Sequence, residues 1–140
     1  MIPWQAPVAA APVHGDLVVP GSKSASARSL LLAALADGPS VRSGVLDSRD
    51  TSLMRAGLTA LGAGIDDLPD GKLRVRPADP VTGGADIECG LAGTVLRFLP
   101  PIAALAAVPT LFHGDAAAAA RPVAPRSEER RVGKECRSRW

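Results

Sequence analysis

The 140-residue chain has no tyrosine, two phenylalanines and two tryptophans, so aromatic residues make up only 3% of it and cannot provide the bulk of a core. With 46% hydrophobic residues, an interior has to be built from Ala, Val and Leu, enough for one small α/β unit. Long apolar runs are also lacking. The nearest, Phe98 to Phe112, contains Pro100, Pro101 and Pro109 and falls short of the roughly 18 residues that span a bilayer. The opening MIPWQAPVAAAPVHGD has no basic leader, and its prolines interrupt any signal-peptide core. A cytoplasmic protein without membrane contact is expected. There are two cysteines, of which Cys136 lies in the last 15 residues, leaving Cys89 alone in the body. It cannot close an internal disulfide there and is expected to be a small buried residue in a reducing compartment. His14 and His113 have no His, Cys or carboxylate partner at ligand spacing, so no metal site is expected. No Ser-His-Asp order is visible.

The net charge of +2 conceals an asymmetry, because residues 126–140 carry five Arg, one Lys and three Glu. The remaining 125 residues hold ten basic against eleven acidic side chains, so the body gives no electrostatic reason to bind nucleic acid. Ten of the eleven acids in that body are Asp, whereas the tail uses only Glu, and apolar periodicity stops at Pro125. RSEERRVGKECRSRW resembles the in-frame translation of a sequencing-library adapter, since codons for its first four residues can spell AGATCGGAAGAG. Two parts are therefore expected, a body over 1–125 and a non-native tail over 126–140. The alternative is a genuine basic tail for nucleic acid or a membrane surface.

Within the body, Ala27, Leu30, Leu31, Ala34 and Leu35 recur at helical spacing and Gly38-Pro39 supplies a stop, predicting a helix over Ser24–Ala36. DLVVPG before it and SVRSGV after it read as short strands. DTSLMRAGLTALGAG predicts a second helix, with Asp50 as N-cap, Leu53, Met54, Leu58 and Leu61 on one side, and an end at Gly62 or Gly64. KLRVRP alternates as a half-buried strand after an Asp70-Gly71 hairpin signal, and ADIECG follows as another. A third helix is expected from Gly93-Thr94 towards Ala107, with Pro100-Pro101 forcing a kink or a later start. TLFHGD is a last strand, and AAAAARPVAP leads into a loop or another helix. The order β-α-β-α-β-β-α-β is that of an α/β protein whose second half begins the pattern again.

Helix N-termini present unpaired N–H groups and partial positive charge, which suits anions where Gly admits close approach and Ser adds hydroxyls. Pro20-Gly21-Ser22-Lys23-Ser24 has those ingredients, and Arg28 lies one turn beyond Ser24, where a guanidinium can grip a carboxylate or phosphate beside that hydroxyl. The blander reading is that a serine caps the helix while Lys23 and Arg28 face solvent. Gly15 and Gly21 are separated by five residues, and Ser22 intrudes before Lys23, so this is not a nucleotide P-loop and ATP is not expected. CGLAGTVLR repeats the theme with Gly90, Gly93 and Thr94 at a helix start and Arg97 one turn on; a tight strand-to-helix turn explains it equally well. Arg121 stands before Pro122, where a solvated loop charge is the simple reading.

Together, PGSKSASARSLLLAALA, LDSRDTSLMRAGLTALG, CGLAGTVLRFL and GDAAAAARPVAP resemble the amino-terminal part of the 3-phosphoshikimate 1-carboxyvinyltransferase (5-enolpyruvylshikimate-3-phosphate synthase) family in an actinobacterial form, in matching order over almost all of residues 10–125. The resemblance implies an enolpyruvyl transferase fold, which when complete has two similar domains built from repeated small α/β units in an inside-out barrel. It also implies a metal-free, cofactor-free transfer of the enolpyruvyl group of phosphoenolpyruvate to the 5-hydroxyl of shikimate 3-phosphate, in a monomer on the route to aromatic amino acids. By the family pattern Lys23 contacts phosphoenolpyruvate near the reacting hydroxyl, Ser24 and Arg28 hold shikimate 3-phosphate, and Gly93, Thr94 and Arg121 line the phosphoenolpyruvate side. Three positions depart from the pattern, with Ala27 and Leu91 replacing asparagines and Phe98 replacing a proline. Gly93 beside Thr94 implies that the site admits glyphosate, although Leu91 and Phe98 alter the same wall.

The resemblance covers little more than about one and a half repeats, and the family's other substrate-phosphate, proton-transfer and basic residues belong after Pro125. An inactive fragment is therefore expected, with a self-standing anion-binding module as the alternative of a different class. An interrupted repeat also leaves sheet edges and helix faces unpaired.

Overall fold

Capping serines and faces of small residues decide where the helices start and what they touch. The structure is a computed structural model that describes residues 3–119. Its elements run α1 (Lys23–Ala34), β1 (Ser40–Arg42), α2 (Arg49–Ala60), β2 (Gly64–Asp67), β3 (Leu73–Arg76), β4 (Asp86–Glu88), α3 (Gly93–Ala103), β5 (Leu111–His113) and α4 (Ala116–Ala119). The expected α/β class is what forms. Arg121 and the tail over 126–140 lie outside the described residues.

α1 begins at an extended Ser22 whose Oγ accepts from the Ala25 N–H at 3.4 Å. Its buried stripe is Ser26, Ala27, Leu30, Ala33 and Ala34, a face of mostly small side chains that lets α2 come close. Leu35, expected on that stripe, is the C-cap and stands 45% exposed, because the helix ends there and the chain turns. α2 is capped by Ser48, not by Asp50. The Ser48 Oγ accepts from the Thr51 N–H at 3.3 Å while the Thr51 Oγ1 accepts from the Ser48 N–H at 3.0 Å, a reciprocal box that leaves Asp50 inside the first turn. Met54, Leu58 and Leu61 are buried as expected, and Gly62 ends the helix at φ +106°.

β3 is the centre of an antiparallel sheet ordered β1-β3-β2, with Leu73 and Val75 turned into the core. The hairpin signal was sound: Asp70 and Gly71 both have φ +65°, the turn that joins β2 to β3. β2 itself, GIDD, has no apolar alternation to announce it. β4 and β5 pair in parallel across the α3 crossover, which carries Leu99, Val95 and Ile102 into the same core. α3 runs unbroken from Gly93 through Pro100 and Pro101 and stops at Ala103, short of the expected Ala107. The prolines remove the N–H partners of the Leu96 and Arg97 carbonyls, and the end tightens into i→i+3 bonds, Leu105 N–H to Ile102 O at 2.9 Å and Ala106 N–H to Ala103 O at 3.0 Å.

The strand expected in DLVVPG does not form. Leu17, Val18 and Val19 are 89%, 104% and 76% exposed, and no strand among the described residues pairs with them. Apolar β-branched sequence is not enough without a sheet edge to satisfy its backbone. Among the described residues no helix is long and apolar enough to cross a membrane.

Leu58, 1% exposed on the central helix, should cost about 2–5 kcal/mol when cut to Ala, whereas Leu32, 66% exposed, should change stability by no more than about 0.5 kcal/mol. Urea titration of the two variants checks the contrast.

Candidate functional site

The first motif is held by its backbone. A Cβ on Gly21 would lie 2.1 Å from the Gly44 carbonyl oxygen, so only glycine lets the turn sit against the Ser43-Gly44 loop. The buried Ser26 Oγ then accepts from the Leu46 N–H at 2.9 Å, and the Thr51 Oγ1 donates to the Leu46 carbonyl at 2.6 Å. These contacts tie the start of α1 to the loop that enters α2, so two helix N-termini lie side by side.

At that junction Lys23, the first residue of α1, places its Nζ 3.0 Å from the Asp50 Oδ2. Lys23 is 54% exposed and Asp50 24%, so the ammonium is oriented while still open to a ligand. Asp50 is the ion-pair partner of Lys23 that sequence reasoning missed by assigning it the cap. The Ser48–Thr51 spacing, which supplies a better cap, was the available signal. Ser24 and Arg28 come together, but not through the hydroxyl: the Arg28 Nε donates to the Ser24 carbonyl at 3.1 Å, laying the exposed guanidinium along its own helix. A shallow cleft of about 220 Å³ beside them is lined in part by Ser22, Ser26, Ser29 and Ser43. The comparable cleft of about 230 Å³ between α2 and the β2-β3 hairpin contains Arg55, already paired with Asp67 at 2.8 Å.

The second motif stands at the start of α3. Gly93 is its first residue, Ala92 is the N-cap and brings no side-chain acceptor, and the Thr94 Oγ1 is buried without a hydrogen-bond partner. An uncapped first turn with a buried hydroxyl beside it is an electropositive donor set. Arg49, adjacent to Asp50, reaches from α2 to this second motif and pairs with Asp115 at 3.3 Å. Lys23, Ser24 and Arg28 thus form one cluster and Gly93 with Thr94 another, with the start of α2 contacting both sides.

Burial, and secondarily the charge of Glu88, pushes the Cys89 thiol above its ordinary value, so it is a neutral core residue, not a nucleophile. His113 does have carboxylate partners, contrary to the reading from spacing. Parallel pairing of β4 with β5 sets its Nε2 2.8 Å from the Asp86 Oδ1 and its Nδ1 2.8 Å from the Glu88 Oε2. No group among the described residues has the makings of a metal site.

The family model for EPSP synthase (3-phosphoshikimate 1-carboxyvinyltransferase) matches residues 8–131. The chain belongs to the EPSP synthase family. A relative from Mycobacterium ulcerans (strain Agy99), named 3-phosphoshikimate 1-carboxyvinyltransferase, is 50% identical over 130 residues, covering 88% of this chain and 29% of the relative. Among solved structures, EPSP synthase from Acinetobacter baumannii shares the fold with a TM-score of 0.71 at 23% identity, over 84% of this chain and 28% of that one. The chain therefore spans less than a third of the length of these EPSP synthases. Of the three positions expected to depart from the family pattern, Ala27 is wholly buried on the inner face of α1, Phe98 packs partly against the core and Leu91 is 40% exposed.

Gly21→Ala should destabilise the chain by about 1–3 kcal/mol, the usual cost of overpacking, because the new Cβ meets backbone and not a movable side chain. Lys23→Ala, which removes a half-exposed ion pair, should cost less than about 1 kcal/mol. Thermal denaturation of both variants measures the difference, and equal losses would contradict the assignment of Gly21 as structural and Lys23 as free for a ligand.

Proposed function

We propose that this chain is the amino-terminal part of an enzyme that transfers the enolpyruvyl group of phosphoenolpyruvate to the 5-hydroxyl of shikimate 3-phosphate. The observation that carries the reading is the family match over residues 8–131, within which Lys23 stands at a helix start with its ammonium 3.0 Å from Asp50. The 5-oxygen adds to the central enolpyruvyl carbon while the methylene carbon gains a proton, giving a tetrahedral adduct. Loss of a proton from the resulting methyl group then restores the double bond as the carbon–oxygen bond to phosphate breaks. Both substrates are anionic, so the site must neutralise charge and hold two anions in contact, which is work for fixed cations and helix N-termini.

In this reading Lys23 meets phosphoenolpyruvate near the reacting oxygen and Asp50 keeps the ammonium in place. Ser24 and Arg28 hold shikimate 3-phosphate, for which Arg28 must swing off the Ser24 carbonyl. Gly93, Thr94 and Arg121 line the phosphoenolpyruvate side, where the unpartnered Thr94 hydroxyl and the uncapped first turn of α3 offer donors. No cofactor enters the scheme. The fragment alone lacks the cations and proton-transfer groups that the rest of the family's length supplies, so it does not turn over.

Phosphate release from the two substrates tests the reading. The 140-residue chain should give no release above a Lys23→Ala control. The same chain joined to the remaining length of its mycobacterial relative should turn over and lose about 10²–10³-fold in rate with Lys23→Ala, the scale of removing one preorganised charge-stabilising donor. No transfer by the joined protein, or Lys23-dependent turnover by the fragment, would overturn it.

A further inference from the structure

Gly90 is held from three directions. Its backbone adopts φ +50°, and its N–H donates to the Glu88 Oε1. Its carbonyl accepts from the Asp115 N–H at 3.2 Å. A Cβ on Gly90 would lie 2.9 Å from the Arg49 Nη2, and one on Gly114 would lie 2.6 Å from the Gly90 oxygen. Two glycines therefore admit a close crossing that Arg49 and Asp115 clasp from outside at 3.3 Å. Two residues beyond Gly90 comes Ala92, the α3 N-cap that has no side-chain hydrogen bond of its own.

A helix start without a cap takes its position from the turn that precedes it. Glu88 hydrogen-bonds the backbone of that turn through the Gly90 N–H. A charge-assisted bond to an N–H is directional, and the second carboxylate oxygen is fixed 2.8 Å from the His113 Nδ1 on the neighbouring strand. We infer that Glu88 is a positioning residue for the first turn of α3, acting through the Gly90 N–H, so that Gly93 and Thr94 are presented at a fixed angle. The inference deepens the transferase reading and rests on it only for the identity of what Gly93 and Thr94 face.

Amide spectra of the ¹⁵N-labelled 140-residue chain test it. Glu88→Ala should move the Gly90, Gly93 and Thr94 resonances together. Glu88→Gln retains an acceptor oxygen for the Gly90 N–H and should return them to their wild-type positions, although it weakens the contact to His113 as an ion pair. A cooperative melt of the Ala variant shows that the shifts are not those of an unfolded chain. Displacement by Gln as large as by Ala, or movement in the Ala variant confined to Gly90 and β4, would overturn the assignment. The spectra need no substrate, so failure of the transferase reading would leave this result unchanged.

Discussion

The close approach at Gly57 is the constraint on which the rest of the structure depends. A Cβ there would lie 2.3 Å from the Leu99 Cδ1 and 3.2 Å from the Ile87 Cγ2, so any side chain at this position would push Leu99 aside and loosen the packing of α2 on α3 and β4. On its other side α2 packs against the alanine face of α1. One helix thereby joins the β1-β3-β2 sheet to the parallel β4-β5 pair, with Met54 and Leu58 filling the space between. The same helix places Asp50 against Lys23 at its start and sends Arg49 across to Asp115.

Stability and chemistry are assigned to different groups. The core holds Leu30, Met54, Leu58, Leu61 and Leu99 at no more than 1% exposure, each contributing on the order of 1.5–3 kcal/mol by removal from water. The ion pairs lie at the surface, where each contributes about 0–1 kcal/mol. The strongest, between Arg76 and Asp66 across the β2-β3 ladder, holds the carboxyl below its usual range, chiefly through the hydrogen bond. Lys23 and Asp50 can consequently rearrange around a ligand without loosening the fold. Gly21 is different, because it is fixed against backbone.

Where burial and local capping agree, the sequence was legible. Leu30, Met54, Leu58, Leu73 and Val75 could all be placed from periodicity, and the Asp70-Gly71 turn from its chemistry. Long-range pairing was not. Val18 has strand composition but pairs with no described strand, β2 pairs along β3 without strand composition, and His113 meets Glu88 only because the strands run parallel. The site divided along the same line. Lys23 at a helix start was readable from PGSKS, whereas Asp50 beside it and Glu88 below Gly90 depend on how segments distant in sequence pack. Ser24 and Arg28 were legible as neighbours one turn apart, whereas the bond from the Arg28 Nε to the Ser24 carbonyl was not.

Two donor-bearing helix starts share one scaffold, and the chain spans less than a third of the length of its relatives. In the proposed reading one wall cannot enclose two anions, so affinity and chemistry both draw on the rest of the family's length. Calorimetric titration of shikimate 3-phosphate into the 140-residue chain tests this most directly, with Arg28→Ala as reference. The account predicts heats that do not saturate and do not differ between the two proteins; saturable binding that Arg28→Ala abolishes would show a complete anion-binding module and contradict it.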